Sequence, residues 1–308
     1  MPEKVVVIGA GTMGPGIAQV YATGGYTVIL TDIKDEILQQ AQERIRSNLH
    51  AFVQHEVLTK SQADAIFQRI EYSTDNVAAT RDCDLVVDAV PENLELKRAV
   101  FSQIDNSAPA KAILASNTSG IPIKEIAKAT KRRDKVLGIH FYNPAHLNKL
   151  VEVIKTEETS KETVETARSM LVNCGKTPVM VSDIPGFLHN RLIYALLREA
   201  VSLVEQGQTT VEDVDAVVRE AFGPRFSVLG LFKLVDIVGI DVYYSVSSYL
   251  NKHLSNTAEA SSWIGSKVTN NELGMKTGKG FYTWSDEDRK KTLAELNARM
   301  LQLIKGSK

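Results

Sequence analysis

The apolar run Val5-Val6-Val7-Ile8 passes directly into Gly9-Ala10-Gly11-Thr12-Met13-Gly14 and then into Ile17-Ala18-Gln19-Val20-Tyr21. A buried strand that turns on glycines into a helix leaves the first helical N–H groups unpaired. It also aims the positive end of the helix dipole at whatever lies before it, which suits a pyrophosphate. Pro15 is compatible with this reading, because in the first turn its missing N–H has no intrahelical partner to lose. Glycine spacing alone is a weak signal, since ordinary tight loops share it. The context is what sharpens it: after Gly24-Gly25 a second apolar run, Tyr26 to Thr31, ends in Asp32. An acid about twenty residues beyond the glycines can accept both hydroxyls of an adenosine ribose and would repel a 2′-phosphate. The chain therefore begins as a Rossmann unit for NAD rather than NADP, with Gly9, Gly11, Thr12, Met13, Gly14 and Asp32 as cofactor-binding candidates.

With 308 residues the chain has room for two domains, each with its own core. A net charge of −1, with 44% hydrophobic and 24% charged residues, implies no general attraction to nucleic acid or an anionic membrane. The two cysteines, Cys83 and Cys174, cannot make a disulfide framework or a zinc site, which points to a reducing compartment, by default the cytoplasm or an organelle matrix. The first apolar run is too short for a signal-peptide core, and no stretch approaches the roughly twenty apolar residues that span a bilayer.

Short apolar runs alternate with helical patterns through the first part, as in a doubly wound, mostly parallel sheet. Asp35 to about Arg69 reads as a long helix and a shorter one. Further strands are expected at 85–87, 112–115 and 136–139, and two added edge strands at 151–154 and 178–181. Ligands gather outside the carboxyl ends of such strands. The turn Asp183-Ile184-Pro185-Gly186 marks a boundary, giving an α/β domain at 1–184 and an all-helical domain at 185–308. Helices are expected there at 188–205, 211–220, 232–250 and about 289–303. The first carries more apolar residues than one face can hold, so a homodimer seam is expected.

Within this frame His140 closes a strand, and Glu152 follows inside a second apolar strand, between Val151 and Val153. A carboxylate so placed faces solvent from an edge or needs a partner, and an imidazole would make with it an oriented general base. Ser119 follows a strand and could instead cap the helix beginning at Ile123; Asn190 opens the first helix of the second domain, where capping is again the alternative. No two histidines have metal-ligand spacing, and no metal is expected.

Over essentially its whole length the chain resembles the L-3-hydroxyacyl-CoA dehydrogenase family. The matching stretches are the 9–14 glycine motif, Ala89-Val90-Pro91-Glu92-Asn93-Leu94, Ser116-Asn117-Thr118-Ser119, Gly138-Ile139-His140-Phe141-Tyr142-Asn143-Pro144 with Leu150-Val151-Glu152-Val153, Asp183-Ile184-Pro185-Gly186-Phe187 with Asn190-Arg191, and Lys276-Thr277-Gly278-Lys279-Gly280-Phe281-Tyr282. The resemblance implies a Rossmann domain joined to a helical dimerisation domain, with the active site in the cleft between them. It implies that His140 takes a hydroxyl proton while hydride leaves the same carbon for the nicotinamide, and that Glu152 fixes the imidazole tautomer. Ser119 and Asn190 would hydrogen-bond the substrate oxygen. Ala89, Val90, Glu92, Lys97 and Asn117 would line the cofactor, with Glu92 and Lys97 near the nicotinamide ribose.

Two departures bear on the substrate. The family holds coenzyme A partly through lysines late in the helix after Asp32, whereas Asn48 to Val57 contains none. The loop Gly223-Pro224-Arg225-Phe226 carries an arginine, as in similar enzymes that oxidise free hydroxy acids, where a substrate carboxylate needs a counter-charge. The first expectation is oxidation of a short-chain L-3-hydroxyacyl-CoA such as 3-hydroxybutyryl-CoA. The alternatives are a small free hydroxy acid held by Arg225, and a non-catalytic dinucleotide-binding protein.

Overall fold

The computed structural model describes residues 3–306. Eight strands, β1 (Lys4–Ile8), β2 (Thr27–Thr31), β3 (Ile70–Ser73), β4 (Leu85–Asp88), β5 (Ile113–Ser116), β6 (Val136–Phe141), β7 (Leu150–Lys155) and β8 (Thr177–Ser182), form one sheet in the order β3-β2-β1-β4-β5-β6-β7-β8. Every neighbouring pair is parallel except β6 with β7. Side chains alternate across a strand, so Val5 and Val7 join Ile17, Leu30 and Ile45 in one buried cluster, while Val6 and Ile8 join Val86, Phe101 and Leu114 in the other. Helices α1 (Gly14–Thr23), α2 (Asp35–Gln54), α3 (Lys60–Gln68), α4 (Asn76–Thr80), α5 (Leu94–Ser107), α6 (Ile123–Ala127) and α7 (Lys161–Asn173) accompany the sheet.

Two features of the sheet differ from the sequence reading. The segment 151–154 is not an edge: β7 is paired on both sides, and of the two added strands β8 alone is terminal. The opposite edge, β3, was not anticipated, because Ile70-Glu71-Tyr72-Ser73 has a single buried residue and no apolar run to announce it. Cys83 and Cys174 are buried free thiols, and burial pushes both up to about 12, which leaves them unreactive.

The chain divides into two compact units. One runs to Leu188 and takes back the residues from Ala294 onward; the other is His189–Leu293. A second domain drawn as 185–308 thus loses its tail to the first unit. The cause is packing: Leu301 of α14 (Asp286–Lys305) is 2% exposed and clusters with Phe52, Val57 and Leu147, while Lys305 Nζ lies 2.6 Å from Glu56 Oε2.

The second unit contains α8 (His189–Glu205), α9 (Val211–Val217), α10 (Gly223–Val228), α11 (Leu231–Val238), α12 (Ile240–Leu250) and α13 (Ser262–Thr269). The single helix expected at 232–250 is broken by Gly239, whose φ of 109° lies outside helical space. Arg225 is helical rather than in a loop, because a π-helical turn at Val218–Phe222 carries the chain from α9 into α10. Among the described residues no helix is long and apolar enough to cross a membrane.

Candidate active site

The turn after β1 is crowded on two sides and open on the third. A Cβ at Gly14 would lie 1.9 Å from the Gly9 carbonyl oxygen, and one at Gly9, where φ is 101°, would lie 2.8 Å from the Ala89 backbone. A Cβ at Gly11 would meet nothing within 4 Å. Met13 caps α1 without a side-chain hydrogen bond, so the helix N-terminus is left for a ligand. Asp32 is anchored at the end of β2, its Oδ2 accepting from Ala10 N–H at 2.7 Å and its Oδ1 from Ile33 N–H at 2.8 Å. This cradle fits a dinucleotide, and it separates two roles among the glycines. Gly11→Ala is expected to leave thermal stability unchanged while weakening NAD binding by about tenfold or more, read by fluorescence titration. Unaltered affinity would contradict a close approach of the cofactor at Gly11.

At the end of β4, Asp88 is fully buried and accepts from Lys97 Nζ at 2.9 Å, Ser116 Oγ at 2.7 Å and Val90 N–H at 2.9 Å. Lys97 is 1% exposed and also donates to the Val90 carbonyl. The structure thus places Lys97 beneath the Ala89–Glu92 turn, with the half-buried Ala89 and Val90 above it. Glu92 is turned onto the loop after β5, its Oε1 accepting from Thr118 Oγ1 at 2.6 Å, Ser119 N–H at 3.0 Å and Gly120 N–H at 3.1 Å. Asn117 is buried and its Oδ1 accepts from Phe141 N–H at 2.8 Å, tying the ends of β5 and β6 together.

The antiparallel register sets His140 of β6 directly opposite Glu152 of β7. Nδ1 of His140 lies 2.9 Å from Glu152 Oε2, with the two side chains 4% and 1% exposed. A carboxylate only accepts, so Nδ1 carries the proton and Nε2 of the neutral ring keeps its lone pair. Leu188 N–H donates to Glu152 Oε1 at 2.9 Å, and the Tyr142 hydroxyl donates to Oε2. The rings of Tyr142 and Phe187 flank the imidazole at 4.5 and 5.7 Å. Such an arrangement can take up a proton at Nε2 and stabilise the resulting imidazolium.

Ser119 is exposed at the carboxyl end of the sheet. It does not cap α6; the Asp183 carboxylate does, accepting from Ile123 and Lys124 N–H at 2.9 Å each. Asn190 lies in the first turn of α8, and Arg225 is exposed on α10, both in the second unit. Asp88 and Tyr142 were absent from the sequence-based site. Their signals were slight: an acid ending an apolar strand, and a second polar-tipped aromatic two residues beyond the histidine. Among the described residues no group of three His, Cys, Asp or Glu is placed to hold a metal ion.

The sequence pattern of the 3-hydroxyacyl-CoA dehydrogenase NAD-binding domain matches residues 4–184, and that of the 3-hydroxyacyl-CoA dehydrogenase C-terminal domain matches 186–284. The chain is 36% identical over 306 residues to 5-formyl-3-hydroxy-2-methylpyridine 4-carboxylate 5-dehydrogenase of Mesorhizobium japonicum, covering 99% of this chain and 98% of that protein. It is 38% identical over 289 residues to human mitochondrial hydroxyacyl-coenzyme A dehydrogenase, covering 92% and 91%. Among solved structures, a 5-formyl-3-hydroxy-2-methylpyridine 4-carboxylic acid 5-dehydrogenase, described as an NAD+-dependent dismutase, superposes with a TM-score of 0.92 at 34% identity over 98% of this chain and 97% of that one. The (S)-3-hydroxybutyryl-CoA dehydrogenase of Ralstonia eutropha gives 0.78 at 31% identity over 93% and 100%.

Proposed function

Because the chain belongs to the 3-hydroxyacyl-CoA dehydrogenase family and is an NAD-dependent dehydrogenase acting on a hydroxyl group, we propose that its substrate is a small free carboxylic acid rather than a CoA thioester. The observation that carries this reading is the C-terminal helix. The late part of α2 is where the family resemblance would put the nucleotide of coenzyme A. Here Phe52 and Val57 are covered by Leu301, with Met300 and Ile304 packed alongside. The charge pair at that end is Glu56 with Lys305, and no lysine occurs between Asn48 and Thr59. A phosphate-bearing ligand needs unpaired cations, and this surface offers a carboxylate and a cation already engaged. The likeness to the pyridine carboxylate dehydrogenase extends over 99% of the chain, the C-terminal helix included.

Bound NAD supplies the hydride acceptor. Nε2 of His140 takes the hydroxyl proton, and Glu152 holds Nδ1 and balances the imidazolium charge. In the reverse direction the imidazolium returns that proton to the oxygen. By the family resemblance Ser119 and Asn190 would each hydrogen-bond the substrate oxygen, and the Arg225 guanidinium has the planar fork that suits a carboxylate. Asp32 and the glycine turn bind the adenosine and pyrophosphate end. Glu92, braced on the 118–120 loop, and Lys97, through Val90, shape the nicotinamide end. The second unit presents Phe232 at 83%, Tyr244 at 73% and Ile237 at 68% exposure, faces suited to a second copy of the chain in a homodimer.

The test is a comparison of initial rates with NAD for small hydroxy acids, including hydroxymethyl and formyl aromatic acids, against 3-hydroxybutyryl-CoA. The proposal expects kcat/KM at least a hundredfold higher for a free acid, and expects Arg225→Ala to raise the KM of that acid about tenfold or more with kcat little changed. Efficient turnover of the thioester would restore the acyl-CoA reading. Slow turnover of both would exclude the acids chosen.

A further inference from the structure

We infer that Tyr142 is a positioning residue that sets how strongly Glu152 attracts a proton onto His140, by donating its hydroxyl hydrogen bond to the same carboxylate oxygen. The inference deepens the assignment of His140 as base and rests on that assignment for its kinetic consequence.

Tyr142 stands two residues beyond His140 in the chain, and its ring lies 4.5 Å from the imidazole at 54°. Its hydroxyl and the His140 Nδ1 both address Oε2 of Glu152, while Oε1 accepts from the Leu188 N–H. A buried carboxylate facing an imidazole favours the protonated ring, because the attraction is little screened. A base locked in its protonated form cannot accept the hydroxyl proton. A second donor on Oε2 draws off part of that charge and so weakens the pull of the carboxylate on the imidazole proton.

The phenol is well suited to this. Burial, the hydrogen bond to Glu152 and the carboxylate's charge all push its own ionisation far above the ordinary value, so it remains a donor whenever the enzyme works. Burial alone would not supply the effect, since an apolar ring such as Phe187, 5.7 Å from that of His140, offers no donor. The polar groups beside the dyad within this unit include the Tyr142 hydroxyl just beyond β6, the Leu188 N–H, and the neutral Asn117 amide bonded to Phe141 N–H. His189 and Arg191, which open α8, are common to both proteins compared below, and their influence cancels in the difference.

The experiment is an NMR titration of the histidine rings in the NAD-free full-length protein and in Tyr142→Phe, with the His140 signal identified by its loss in His140→Gln. The phenyl variant keeps the ring, and unchanged NAD affinity certifies its fold. The His140 pKa is expected to rise by about one unit, a tenfold gain in proton affinity. The acid limb of the kcat/KM profile for oxidation should move up by the same amount. An unmoved His140 titration overturns the inference, as does a lower plateau rate with the acid limb in place, which would mark a merely structural role. A raised titration with an unmoved limb upholds the Tyr142 effect and removes His140 as the base.

Discussion

His140→Gln is expected to lower kcat for hydroxyl oxidation by a factor of about 10² to 10⁴, the usual contribution of a positioned general base, while NAD affinity stays within about twofold. Glutamine keeps a hydrogen bond to Glu152 within reach but has no group that can accept a proton near neutral pH. The cofactor cradle lies at the ends of β1, β2 and β4, and none of its hydrogen bonds involves the His140 side chain. Stopped-flow absorbance at the reduced-cofactor band measures the rate, and fluorescence titration measures binding. A rate within threefold of the parent enzyme would remove His140 from the chemistry.

The second large effect is on stability. Lys97→Met is expected to cost about 3–5 kcal/mol, because it strands a buried carboxylate. Asp88 is fully buried, and without the ammonium at 2.9 Å it keeps only the Ser116 hydroxyl and the Val90 N–H. The penalty comes from the lone charge rather than from any large net value of the pair, so removing both charges should recover much of the loss. Asp88→Asn combined with Lys97→Met should therefore be more stable than Lys97→Met alone by about 2 kcal/mol or more. Urea unfolding of the three proteins measures the difference, and a single variant within 1 kcal/mol of the parent would show that Asp88 finds other solvation.

The parts of this site that sequence revealed are those whose causes are local. The β1 strand, glycine turn, α1 and the acid ending β2 lie within about thirty residues, and each step has its own backbone or charge requirement. The His140 and Glu152 pairing was legible because a carboxylate between two valines in a strand demands a partner, and the structure supplies it through direct cross-strand register. What stayed hidden depends on distance along the chain. Lys97 looked like a cofactor contact, yet its ammonium is turned inward to Asp88, a choice fixed by where α5 lies on the sheet. Glu92 gave no sign that it would brace Ser119 and Gly120, nor Asp183 that it would cap a helix sixty residues earlier. The tail helix reads as the end of the helical domain until Leu301 is seen among residues of α2. Gly239 breaks a helix whose apolar pattern runs on through it, because its backbone conformation and not its hydropathy decides the matter.

The account stands on the imidazole of His140 as the proton acceptor, and the measurement that reaches it most directly is the distance from His140 Nε2 to the substrate oxygen in a crystal of the enzyme with NAD and an unreactive substrate analogue. The predicted result is about 2.6–3.2 Å, with Nδ1 still bonded to Glu152 as in the structure described here. An imidazole turned away from the oxygen, or one that has exchanged Glu152 for another partner, would contradict it.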